Sequence, residues 1–154
     1  MITVDMIQVL SGLIGSVCFA ILFNIRGGRL FIAGLGGGIS WLLFLLLSRY
    51  IQSEAVNYFI VSFAASVYAE IMARLLKTPT TTFVTVSLIP LIPGASLYYT
   101  MAHAFQGEFE IFIGKALATL QLAAALALGI IVSTTLSKII NQIFSVLHSK
   151  RMKI

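Results

Sequence analysis

Residues Ile89 to Thr100 read Ile-Pro-Leu-Ile-Pro-Gly-Ala-Ser-Leu-Tyr-Tyr-Thr, in the middle of a thirty-residue stretch, Thr78 to Gly107, without one Asp, Glu, Lys or Arg. An uncharged apolar run of that length belongs in a bilayer, yet two prolines and a glycine interrupt it. A proline in a helix interior removes a backbone donor and displaces the carbonyl four residues back, so Pro90 and Pro93 free polar groups around Val86 and Ile89. Hydrocarbon offers those groups no partner. A break of this kind persists where it is buried in protein or lines a water-filled cavity, and discontinuous helices of secondary transporters hold substrates and ions there. A membrane helix broken at Pro90 to Gly94 is the feature from which fold and function are both read.

The rest of the composition agrees. Of 154 residues 59% are hydrophobic and 10% charged, with a mean hydropathy of +1.03, whereas soluble domains average about half apolar and about a quarter charged. The chain is an all-α integral membrane protein with no room for a soluble domain. Its single cysteine, Cys18, lies within an apolar run, so neither an internal disulfide nor a Cys-rich metal site is indicated, and no cofactor is called for. The start, Met-Ile-Thr-Val-Asp, lacks a basic leader region, and the first apolar run is expected to stay attached as a span.

Apolar runs place about five spans, at 6–23, 30–48, 55–76, 80–105 and 111–137, in a transmembrane domain of residues 1–138, the third apolar until Glu70 and Arg74 near its end. As one straight helix, Thr78 to Gly107 would measure about 45 Å against a hydrocarbon core of about 30 Å, so the fourth span must break or tilt strongly. Residues 139–154 form a basic tail in which Ile139, Ile140, Ile143, Phe144, Val146 and Leu147 recur at helical spacing, either extending the fifth helix or lying on the membrane surface. Orientation follows from the basic residues. Arg26, Arg29, Arg74, Lys77, Lys138, Lys150, Arg151 and Lys153, eight of the ten, fall on one side, while Asp5, Glu54, Glu108 and Glu110 fall on the other. The N-terminus is expected outside and the C-terminus inside. Four spans with a re-entrant hairpin would turn the basic tail outward and satisfy the rule less well. The net charge of +5 flanks spans instead of forming a patch, which points to orientation and anionic lipid rather than nucleic acid.

Glycines in the second span do not make a nucleotide site, because Gly34 to Gly38 follows no strand and carries no P-loop lysine. Gly34 with Gly38, and Gly12 with Ser16, instead make small-residue faces on which helices pack closely, within the chain, with a second copy, or with another protein. Glu70 and Arg74 stand four apart on one helix face. They form either an interfacial ion pair or a coupling site at which Glu70 takes up a proton, since a charge this deep costs about 2.5 to 3.5 kcal/mol. His103 is read as a satisfied interfacial residue, with proton relay as the lesser alternative.

The break itself carries the best chemistry. Pro93 suits the first position of a new helix, and its free amides and dipole favour an anion, so a carboxylate fits beside Gly94, Ala95 and Ser96. Pro90, Pro93, Gly94, Ala95, Ser96, Tyr99 and Thr100 are the expected substrate-pathway residues. A purely structural kink is the competing reading. Enzyme signatures such as Gly-x-Ser-x-Gly and His-Glu-x-x-His are missing from the sequence.

Pro-Leu-Ile-Pro-Gly at 90–94, with Leu-Tyr-Tyr-Thr at 97–100, resembles the threonine/serine exporter family in its small-subunit, C-terminal-half type. Phe-Asn-Ile-Arg at 23–26, Ala33-Gly34, Ala69-Glu70, Ala73-Arg74 and Thr78-Pro79 follow in family order, and the likeness runs from about Ala20 to Ser137. The resemblance implies export of threonine and serine driven by the proton-motive force, from the plasma membrane of a bacterium. Split members of the family are linked to dicarboxylates such as succinate. It also implies a larger membrane partner subunit, because full-length members carry roughly twice as many spans. Ala95 departs from the pattern, standing where a glycine is frequent. A structural subunit without its own substrate site remains the alternative.

Overall fold

The computed structural model describes the backbone of residues 2–151 and the side chains of residues 4–143. Six helices follow in order: α1 (Ile2–Leu22), α2 (Gly28–Leu47), α3 (Glu54–Leu75), α4 (Thr80–Leu88), α5 (Gly94–Phe105) and α6 (Phe109–Arg151), with a 3-10 turn at Ile89–Leu91 between α4 and α5. Four of them, α1, α2, α3 and α6, are long and apolar enough to cross a membrane; α4 with its turn and α5 form a pair bent by 57°, which is a fifth if the pair is one span. The chain is thus an all-α membrane protein that crosses several times.

Three turns end their helices in the same way. At Asn24, Lys77 and Gly107 the backbone enters the left-handed region with φ of 58°, 51° and 76°. The amide after each bonds back five residues: Ile25 to Ala20, Thr78 to Ala73, and Glu108 to His103. This pairing satisfies the last carbonyls of α1, α3 and α5 and turns the chain sharply. Pro79 then prevents α3 from continuing.

Small residues decide what packs where. A Cβ added at Gly34 or Gly38 would meet Val17 or Leu13 of α1, and one at Gly37 would strike Ser16. Gly36, on another side of α2, faces Ser87 of α4 and Tyr68 of α3. The face carrying Gly12 and Ser16 therefore lies on the glycine run of α2 within this chain. One core cluster joins Ala20, Ala33, Ala69, Ala73, Phe83 and Val86; a second joins Tyr58, Val61, Ala65, Leu88, Leu91 and Leu122. Trp41, Phe44 and Tyr58 extend the second through ring contacts at 5.2 Å and 5.1 Å.

α3 and α6 run parallel. Gly129 lies level with Phe59 to Phe63, and Arg74 donates to Asn141 at 2.9 Å. At one end of the bundle Arg49 pairs with Asp5; at the other Arg29 donates to the Leu76 carbonyl at 3.4 Å. α3, with 22 residues, spans about 33 Å, close to a hydrocarbon thickness, whereas α6, with 43 residues, is about 64 Å long. By register, residues 109–121 run about 20 Å past the start of α3. There α5 lies antiparallel to them, with Thr100 and Thr119 hydroxyls 3.1 Å apart, as a helical hairpin. The sequence reading of a span at 111–137 followed by a tail is thus met by one helix that begins at Phe109 and continues through Arg151. The side chains of Phe144, Val146, Leu147, Lys150 and Arg151, and all of Lys153, lie outside the described residues.

Gly129 gives the sharpest packing test, because a Cβ there would sit 2.6 Å from the Phe59 carbonyl and 2.9 Å from the Phe63 amide. Backbone cannot rotate aside. Gly129→Leu is expected to destabilise by about 3 kcal/mol or more and to lower the melting temperature of the purified protein, while Gly114→Leu, with nothing within 4 Å, leaves it unchanged or raised. Equal melting of the two variants would contradict this packing.

Candidate functional site

The break is built from two tight turns. Ile92 is extended, at φ −62° and ψ 123°, and Pro93, at φ −74° and ψ 58°, is the centre of an inverse γ-turn closed by the Gly94 amide on the Ile92 carbonyl at 2.6 Å. This turn makes Pro93 the cap of α5 and Gly94 its first residue, one position later than the sequence suggests. Leu97 donates to the Pro93 carbonyl at 3.0 Å. Ala95 and Ser96 remain as first-turn amides with no acceptor inside the helix.

The expected pathway residues divide into three groups. Pro90 packs into the α1–α2 seam, where added Cβ atoms at Gly12 and Gly37 would come within 3.7 Å and 3.5 Å of its ring. Thr100 is buried against α6, bonded to the Ser96 carbonyl at 2.8 Å and to Thr119. Ala95, Ser96 and Tyr99 line a cavity of about 440 Å³, and Gly94 stands open beside it with nothing within 4 Å. That volume suits a small metabolite.

The rest of the wall was not singled out from the sequence, and its charged and amide groups are Glu54 from the first turn of α3, and Lys115 and Gln121 from α6. Among the described residues neither Glu54 nor Lys115 has an ion-pair partner. One acid and one base thus share a cleft that also receives the start of α5, whose dipole favours negative charge. Sequence reading took Glu54 and Lys115 as charges flanking spans. Their meeting depends on α5 swinging away from α4, which no local pattern encodes. One signal was available: Lys115 stands a turn and a half inside an apolar helix, deeper than a boundary charge requires.

Glu70 and Arg74 lie elsewhere. They form the expected i to i+4 pair at 3.2 Å, about 24 Å along α3 from Glu54. Glu70 is 9% exposed. His103 is paired with Glu108 at 2.6 Å across the α5–α6 turn.

Water access to the cavity can be read chemically. In a Cys18→Ser background, Ala118→Cys on the cavity wall is expected to react with a water-soluble maleimide about tenfold or more faster than Ser133→Cys, which is 1% exposed in the α3–α6 contact. Equal rates would contradict an open cavity.

A family described as Threonine/Serine exporter, ThrE matches residues 8–136, a stretch that contains the break and every residue lining the cavity. No curated protein and no solved structure matches the chain.

Proposed function

The chain belongs to the threonine/serine exporter family, and from that premise we propose that it is a subunit of a secondary transporter that exports small carboxylate-bearing metabolites, threonine and serine first among them. The observation that carries the reading is the unpaired acid and base in one cavity at the start of α5. An α-amino acid bears both a carboxylate and an ammonium group. Lys115 and the Ala95 and Ser96 amides suit the carboxylate, and Glu54 suits the ammonium. Ser96 and Gln121 supply hydrogen bonds for a side-chain hydroxyl, and Ala95 and Ala118 leave room for a methyl group. A dicarboxylate would bring a second anion towards Glu54, so the succinate-type alternative is less well served. A subunit without its own site would have no use for two unpaired charges in a cleft.

In this reading the N-terminus lies outside and the C-terminus inside a bacterial plasma membrane, and the cavity opens outward, where an exporter releases its load. Pro90, Pro93 and Gly94 set the mouth, Tyr99 lines the wall, and Thr100 ties α5 to α6 beside it. Transport is proton-coupled, with Glu70 as the group that takes up the proton and Arg74 as its partner. A larger membrane subunit of the same family supplies the remaining spans. The α5–α6 hairpin supports this, since it exposes Leu97, Met101, Phe105, Phe109 and Leu117 beyond the bundle.

Lys115→Met and Glu54→Gln test the site. Each removes one charge-assisted bond worth about 1.5 to 3 kcal/mol, so serine and threonine efflux from preloaded cells is expected to fall about tenfold to a hundredfold at unchanged membrane level. Glu54→Gln should also raise succinate efflux relative to serine. Undiminished serine and threonine efflux from the Lys115→Met protein would overturn the assignment.

A further inference from the structure

A second polar site lies in the contact between α3 and α6. On α3, Ser62, Ser66, Glu70 and Arg74 recur every fourth residue, and on α6, Gly129, Ser133, Ser137 and Asn141 do the same. Such spacing keeps each row on one helix face. The rows meet at both ends, where Gly129 abuts Ser62 and where Arg74 donates to Asn141. Ser66 and Ser133 lie one turn in from Ser62 and Gly129, opposite each other.

Both serines are buried, at 0% and 1% exposure, and neither hydroxyl has a hydrogen-bond partner. Ser40, Thr85, Thr100 and Thr119 return their hydroxyls to the carbonyl four residues back. The other two unpaired buried helical hydroxyls among the described residues, Ser16 and Ser87, each pack against a glycine of α2 and have no carboxylate within a turn along their own helix. Two unpaired hydroxyls facing each other inside a membrane bundle are costly. Next along α3 stands Glu70, the only buried carboxylate among the described residues. Two neutral hydroxyls and one carboxylate form an all-oxygen donor set with a single negative charge, which suits a small hard cation of charge one.

We propose that Ser66, Ser133 and Glu70 form a binding site for a small monovalent cation, sodium or hydronium, within the α3–α6 contact. Arg74 does not block it. Its Nη1 donates to Asn141 at 2.9 Å and its Nη2 to Glu70 at 3.2 Å, so the Asn141 bond is a separate anchor that keeps the guanidinium in place when the cation takes over the carboxylate. Of the other charged groups, α6 carries the exposed Lys138 near the site, Glu110 and Lys115 towards its start and Lys150 and Arg151 at its end; α2 carries Arg29, which donates to the Leu76 carbonyl, Glu54 starts α3, Lys77 lies in the turn after it, and α4 contributes none. The site rests on the transport reading only for the use made of the ion. Binding itself needs no substrate.

The test is the melting temperature of the purified chain without amino acid, measured as sodium replaces choline at constant ionic strength and, separately, as pH is lowered in choline alone. Wild type is expected to gain several degrees, saturably. The Ser66→Ala/Ser133→Ala double variant should lose that gain yet melt at or above wild type without the cation, because it removes two unpaired buried hydroxyls. A sodium response identifies sodium; a response to acid alone that Glu70→Gln abolishes identifies hydronium. No response of wild type to either cation, or a response kept by the double variant, would overturn the site while leaving the substrate cavity at Glu54 and Lys115 untouched.

Discussion

A helix interrupted inside hydrocarbon must find partners for its freed backbone within the protein, and the rest of this chain is arranged around that requirement. The interruption is kept short by a 3-10 turn at Ile89–Leu91 and an inverse γ-turn at Pro93, which between them reuse the Ile89 and Ile92 carbonyls. The ring of Pro90 is then accommodated where α1 and α2 approach most closely, beside Gly12 and Gly37. A Cβ added at either place would lie at ordinary contact distance from the ring, and at position 37 it is Ser16 of α1 that leaves no room for one. Once the break is absorbed, α5 departs by 57°, and its first turn opens towards the start of α3 and the side of α6. The cavity is a geometric consequence of that departure.

Polar groups in the bundle are distributed on either side of an apolar barrier. Tyr58, Val61, Leu88, Leu91 and Leu122 fill the interior just beneath the cavity. Beyond them the α3–α6 contact turns polar, from Ser62 to Arg74. In the proposed transport reading this is the division an alternating-access machine needs: a site on one side, an ion-responsive contact on the other, and packed apolar side chains between. α6 is joined to α3 along the polar part through Gly129 and Ser133, small residues whose contacts can be remade without large side chains changing rotamer. α6 is also the helix that carries Lys115, so one rigid element links the cavity to the buried Glu70 region.

The fold was largely legible in the sequence because its signals are local. Long apolar runs with few charges mark the helices, and Pro90, Pro93 and Gly94 mark the break within one residue of its observed geometry. The length of α6 was less legible. Lys138 reads as a boundary, but Ile139, Ile140 and Ile143 continue the apolar pattern past it and neither glycine nor proline stops the helix before Arg151. The site was only half legible. Ala95, Ser96 and Tyr99 follow from the break itself, whereas Glu54 and Lys115 lie more than sixty residues apart in sequence, and nothing local reports that they share a cleft. The unpaired hydroxyls of Ser66 and Ser133 were invisible for the same reason, since a serine on a helix ordinarily satisfies itself.

The account stands or falls on whether this chain moves a zwitterionic amino acid together with a larger membrane subunit. The direct measurement is efflux of labelled serine, threonine and succinate from preloaded cells expressing the chain alone, and the chain together with the proposed larger membrane subunit of the same family. Serine and threonine efflux that requires both proteins, with succinate retained, is the predicted result. Succinate efflux without serine or threonine efflux, or no efflux of any of the three from either preparation, would contradict it.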